Sequence, residues 1–286
     1  MSLQETICCR QNNEDMLRCQ FASRYYYNTA EKLISAAFII SFFSALCVFI
    51  PYDQKILLLL PIFLDTLALL LYKKMGMSVS SAAMLRNHFD DIVLRFDNKQ
   101  KSPEKIREME ALIIKAASKQ KNKYQEQISH TGRDNPPGVK DWYEFSRQYT
   151  DSDVIFECQK QNQWWNKEMY KRRRVLYPLF MSLILLIAFL IYHFLSVSVL
   201  EICICFGSAV ITFSDRINEH MHYLRLSMKI DNYCEALSSH RDKKQTRKLQ
   251  DLIESRRELR VVEFNHIHKR NSKDLSEQYE QISSKS

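Results

Sequence analysis

Few residues have the type and spacing to do chemistry. Asp65 stands inside an apolar run, four residues after Pro61. An ionised carboxylate deep in an apolar helix costs roughly 2.5–3.5 kcal/mol on insertion scales, so it needs a protein interior, a water path or its own proton. Two readings fit it equally: a pore-lining or gating carboxylate, and a buried contact locking helices together. Two aromatic-basic groups follow. Asp141-Trp142-Tyr143 comes after a Pro-Pro-Gly turn, and residues 159–174 hold Asn162, Trp164, Trp165, Lys171, Arg172, Arg173 and Arg174. Aromatic rings beside guanidiniums can stack a base and pair a phosphate, which are the two demands of a nucleotide ligand. The competing reading makes the tryptophans interfacial anchors or bundle residues and the arginines the flank of a membrane span. Trp142, Tyr143, Asn162, Trp165, Arg172 and Arg173 are therefore the candidate ligand contacts, and Asp65 the candidate pore residue.

Enzyme chemistry has no support. Four glycines cannot furnish a phosphate-binding loop, and no metalloprotease, serine-hydrolase or kinase signature occurs. His220 and His222, His266 and His268, and Cys203 and Cys205 are each two apart, so on a helix they face away from one another. Solvated histidines and reduced thiols are the expectation, with no catalytic residue, metal or cofactor. The eight cysteines form no C-x-x-C pair, and the first thirty residues carry charge rather than a cleavable apolar leader.

The elements that must position these groups are legible from hydropathy. Mean hydropathy over the 286 residues is only mildly negative, but apolar and charged blocks alternate sharply. A bilayer-crossing helix needs about 20 mostly apolar residues. Residues 33–50, 56–72, 176–195 and 197–213 meet that demand, the last one weakest because of Glu201. Arg18, Arg24, Lys32, Lys73, Lys74, Arg86, Lys171 and Arg172–Arg174, Arg216 and Arg225 all flank one side; the opposite links carry a single lysine. Positive charge marks the cytoplasmic side, so both termini and the middle segment are expected there.

The expected organisation is a cytoplasmic N-terminal helix (1–32), a transmembrane hairpin (33–73), a cytoplasmic insert (74–174), a second hairpin (175–213) and a cytoplasmic helical tail (214–286). Scarce glycine and proline favour an all-α, polytopic membrane protein. Ser102-Pro103-Glu104 reads as a helix start, and an amphipathic helix is expected from there to about residue 128, with Ile106, Met109, Leu112, Ile113 and Ala116 on one face. Residues 130–140 read as a loop. A helix over 152–174 should run into the third span, aligning Val154, Cys158, Trp165 and Met169. The fourth span should continue as a stalk with Ile217, Met221, Leu224 and Met228 at steps of four and three. A tail helix over about 245–264 carries Leu249, Leu252, Ile253 and Leu259. Stalks and insert should bundle beneath the membrane, since isolated amphipathic helices are unstable. The β-forming composition of 88–98 and 139–150 leaves room for minor strands.

In their order around four spans these residues resemble the SMODS-associated four-transmembrane family, regarded as candidate pore-forming effectors of bacterial second-messenger defence. The resemblance rests on Arg10-Gln11-Asn12, Met16-Leu17, Asp65, Phe89-Asp90 with Val93-Leu94, Asp141-Trp142-Tyr143, Cys158-Gln159 through Asn162 and Trp164-Trp165 to Arg172-Arg173, and Leu249-Gln250-Asp251 through Arg256-Arg257. Two features depart from the family: Phe96-Asp97-Asn98 replaces a Trp-Asn pair, and the tail has Phe264 and His266 in place of Pro and Trp. The resemblance implies a CBASS-type antiviral effector of the bacterial inner membrane. Its partners would be the lipid bilayer and a cyclic di- or oligonucleotide from a cognate nucleotidyltransferase, with no role for DNA or RNA. Activation would cause membrane damage and abortive infection, and four spans enclose so little lumen that a homo-oligomer is needed for a pore. The rival reading is a non-conducting scaffold or receptor whose helical bundle recruits a protein partner.

Overall fold

The computed structural model describes residues 1–47, 59–96, 101–173, 199–237, 242–262 and 265–285, with 182–183, 186–187, 189–190 and 193–194 besides. Among these residues every regular element is an α-helix: α1 (Leu3–Gln11), α2 (Glu14–Leu46), α3 (Leu59–Val93), α4 (Pro103–Lys119), α5 (Lys121–Ser129), α6 (Asp151–Arg173), α7 (Val199–Ala236), α8 (Lys243–Arg257) and α9 (Asn265–Lys285). The all-α expectation holds. Most of the expected third span, the link 52–55 and Arg174 lie outside the described residues. Among those described, α2 is the one helix long and apolar enough to cross a membrane by length and composition.

Helices α2 and α3 form an antiparallel hairpin. The Ser23 hydroxyl donates to Ala82 O at 3.0 Å, and that of Ser44 donates to Pro61 O at 3.3 Å, so rising numbers on one helix meet falling numbers on the other. Buried Ala22, Ala30, Ala37, Ala68, Ala82 and Ala83 let the two backbones approach closely. Both helices pass unbroken from an apolar end, where Ile39, Phe42, Phe43, Ile62 and Phe63 stand exposed, into a polar-flanked body. There α1, α4, α5 and α6 pack around them on a core that includes Ile7, Phe21, Leu85, Phe89, Met109, Val154 and Cys158. The N-terminal segment is two helices, not one. Ser2 and Glu5 form a capping box on α1, and the Asn13 side chain caps α2.

Helix α4 begins at Pro103 under the Ser102 cap, as expected, and buries Met109 and Ala116. It does not continue to residue 128: Gln120 leaves helical geometry (φ −136°, ψ 50°), and α5 starts afresh. The minor strands are also absent among the described residues, where a lone bridge joins Thr131 and Lys140. Residues 88–93 instead finish α3, because Leu85, Phe89 and Val93 recur every four residues against the core. After Val139 and Lys140, whose N–H groups bond the carbonyls of Gln127 and His130, four backbone donors of residues 141–149 are satisfied by side-chain amides rather than by a neighbouring strand. Asp141 N donates to Asn12 Oδ1 (3.0 Å), Tyr143 N to Gln11 Oε1 (2.7 Å), Glu144 N to Gln161 Oε1 (3.3 Å) and Tyr149 N to Gln4 Oε1 (2.9 Å).

Helix α6 buries Val154, Cys158 and Met169 on its expected face. Of the expected stripe on α7 only Leu224 packs into the bundle, against Tyr170, Tyr223 and Val261; Ile217, Met221 and Met228 are exposed, and α7 turns Tyr223 and Ile230 inward. The tail helix ends at Arg257, earlier than expected, after burying Leu249 and Ile253, and a separate α9 follows.

The amide anchors make a test. Replacing Gln11 by Ala orphans the buried Tyr143 N–H and should cost about 1–3 kcal/mol of stability, whereas Gln4→Ala, at a half-buried site where water can replace the amide, should cost less than about 1 kcal/mol. Unfolding in detergent micelles, followed by circular dichroism, measures both.

Candidate functional site

The site begins with Asp90, which is fully buried on the last turn of α3. A buried carboxylate must be paired and hydrogen-bonded to be tolerated. Arg257, at the end of α8, pairs with it at 2.8 Å; Tyr143 OH donates at 2.7 Å, and Gln250 Nε2 donates at 3.1 Å. Asn162 Nδ2 of α6 then donates to the Tyr143 oxygen at 2.9 Å. Burial first, and the Asp90 charge second, push the Tyr143 hydroxyl well above its ordinary pKa, so it remains a donor.

Above this floor lies a half-open recess of about 160 Å³, walled by α2, α3, α6, the loop before Trp142 and the ends of α8 and α9. Its cations come from three helices. Arg24 on α2 donates to Pro137 O (2.8 Å) and Gly138 O (3.2 Å), and its Nη2 lies 3.4 Å from His268 Nδ1. Arg86 on α3 sits 3.6 Å over the Trp142 ring and donates to Gln20 Oε1. Arg256 and Arg257 complete the set. Among the described residues no carboxylate lies at ion-pair distance from Arg24 or Arg86, although the buried Asp90 charge acts on Arg86 from one turn away. Burial, and then the Arg86 charge, lower the Arg24 guanidinium to about 10; burial, and then Arg257, lower Arg86 to about 10. Gln20, also on the wall, is buried with no hydrogen-bond partner for its Nε2. Aromatic faces flank the cations: Trp142, and Trp165 stacked against His268 with centroids 6.4 Å apart.

The recess holds three of the six expected ligand contacts: Trp142, Asn162 and Trp165. Tyr143 lies beneath it, 2 % exposed, in the Asp90 network. Arg172 is directed elsewhere, bonding Asn271 to tie α6 to α9, and the Arg173 side chain lies outside the described residues. Asp65 is half-buried on α3, remote in sequence from every residue of the recess. His268, expected in solvent, is part of the wall; the His266, Cys203 and Cys205 side chains lie outside the described residues. Sequence reading missed Gln20, Arg24, Arg86 and the Arg256-Arg257 pair as wall residues. A signal existed for α2: Gln20, Ser23, Arg24 and Tyr27 make a polar stripe at helical spacing on an otherwise buried helix.

A family described as the SMODS-associating 4TM effector domain matches residues 5–285. The chain belongs to that family. The 4TM effector domain is a membrane effector domain rather than a catalytic one, linked by its description to SMODS defence systems. No curated protein and no solved structure matches the chain.

Truncating the floor should be expensive. Asp90→Ala leaves Arg257 uncompensated and should cost about 3–5 kcal/mol. Tyr143→Phe, which removes one hydrogen bond, should cost about 0.5–1.5 kcal/mol; thermal unfolding of the purified protein compares the two.

Proposed function

We propose that this 4TM effector is the membrane-damaging arm of a CBASS-type anti-phage system, and that the recess receives the cyclic nucleotide messenger. The observation that carries this reading is the Arg24–Arg86 pair: two partly desolvated guanidiniums with no carboxylate at ion-pair distance among the described residues, between indole rings, in a chain of an SMODS-associated family. Phosphate would take the guanidiniums bidentately and bases would stack on Trp142 and Trp165. A recess of about 160 Å³ is roughly five water volumes, so it admits part of a cyclic di- or oligonucleotide unless it widens on binding.

Two hairpins, residues 33–73 and 175–213, would cross the inner membrane with both termini, the insert 74–174 and the tail 214–286 in the cytoplasm. Supporting this, exposed large apolar side chains such as Phe42, Phe63, Leu70, Phe189, Phe194 and Ile211 fall within these segments, where lipid would cover them. Ile217, Met221 and Met228 are exposed about 6 to 22 Å beyond Phe213, at 1.5 Å per residue. Most of that stripe is out of reach of lipid tails, and its heptad-like spacing suits a homo-oligomer that encloses a pore. Asp65 would then line or gate that pore.

Leakage of dye from proteoliposomes, titrated with a panel of cyclic di- and trinucleotides, tests the function. Leakage should rise with one messenger, and Arg24→Ala should weaken binding on the order of 10- to 100-fold, the worth of a charge-assisted contact. Binding without leakage under any messenger would favour the scaffold reading instead. Asp65→Asn should alter conductance without changing affinity; unchanged conductance removes Asp65 from the pore.

A further inference from the structure

Arg256 and Arg257 line the recess, and the chain leaves α8 immediately after them. Three residues beyond Arg257, Arg260 reaches a different part of the molecule. Its Nη2 lies 2.9 Å from Glu219 Oε1 and 3.4 Å from Asp215 Oδ2, both on α7, and its backbone N donates to Glu219 Oε2 at 3.2 Å. The same guanidinium lies 5.6 Å from the ring centroid of Tyr72 on α3, and Tyr72 OH donates to Asp215. One turn on, a Cβ at Gly76 would stand 3.0 Å from the Arg260 side chain, so a larger residue there would push it aside. Arg216, 1 % exposed, donates to Arg260 O at 2.6 Å. Arg260 thus clasps α3 to α7 at the point where both helices leave the apolar region.

We propose that residues 256–260 are a latch that holds the effector in its resting state, an inference that rests on the recess being the messenger site. Arg257 is seated on Asp90 and Arg256 on Gln163, which sets the end of α8 and with it the position of Arg260. A phosphate in the recess competes for both arginines. Three intervening peptide units span at most about 10 Å, so displacement of the α8 end is passed to Arg260 with little slack. The Arg260 pairs are partly exposed and weak individually, which suits a contact that must open. Opening frees α7 from α3, two helices that continue unbroken into the apolar segments. The ligand shifts the population only through this difference between clasped and open states.

The test uses the full-length protein in liposomes, with ligand-free dye leakage and cyclic nucleotide binding measured separately. Arg260→Ala and Glu219→Gln should each raise ligand-free leakage by about tenfold or more and, because the coupling is reciprocal, should tighten nucleotide binding rather than weaken it. The charge swap Arg260→Glu with Glu219→Arg should return leakage toward the resting level, and it also controls for misfolding. Unchanged ligand-free leakage in both single variants, or loss of messenger-evoked leakage without ligand-free leakage, overturns the latch. If the starting protein binds no cyclic nucleotide, the messenger reading fails; ligand-free leakage of the two variants still decides whether Arg260 restrains the membrane helices.

Discussion

The arrangement depends on one buried carboxylate. Asp90 cannot stay charged in the core without partners, and the partners it takes come from separate parts of the chain: Arg257 and Gln250 from α8, and Tyr143 from the loop after the Pro-Pro-Gly turn. Asn162 extends the network to α6. Satisfying that single charge therefore sets where the tail helix docks on the α2–α3 hairpin and where the Trp142 loop lies. The same constraint leaves a charge imbalance. One carboxylate answers Arg257, while Arg24 and Arg86 line the space above with amide, carbonyl and aromatic neighbours. A site built with excess positive charge and flat apolar faces is suited to an anion with rings.

Residues 139–150 show how a segment without regular structure can be held accurately. Side-chain amides from α1, α2's preceding turn and α6 take its backbone donors, so the loop is anchored to three places rather than to a strand partner. Gly138 makes this approach possible, since a Cβ there would stand 1.8 Å from His130 O. Its carbonyl and that of Pro137 hold Arg24, so the loop both closes the recess and aims one of its cations. A rigid wall of this kind reduces the ordering that a ligand must impose on binding.

Mechanical continuity is the second consequence of the fold. Helices α2, α3 and α7 each run from an apolar segment into the polar body without a break. A helix transmits displacement along its axis because every backbone bond is internal, so motion at the recess has a short route to the apolar ends. Residues 256–262, the end of α8 and the non-helical residues that follow it, touch both ends of that route, which concentrates the coupling in a few side chains.

Local pattern alone placed most of the helical segments, the cap at Ser102 and the apolar runs, because periodicity and flanking charge act over a turn or a bilayer's width. Trp142, Asn162 and Trp165, singled out in the sequence because aromatic and amide groups near arginines are unusual in composition, do line the recess. Tyr143 shares that signature yet serves the floor, and Arg172 faces α9; which way a ring or guanidinium points is a matter of neighbours, not of type. Only the tertiary structure could decide that 88–93 is helix, that Ile217, Met221 and Met228 of the α7 stripe stay exposed, and that Gln20, Arg24, Arg86, Arg257 and His268 share one recess. Those residues come from four helices far apart in the chain. Their meeting is set by long-range packing around Asp90, which leaves no periodic trace in the sequence.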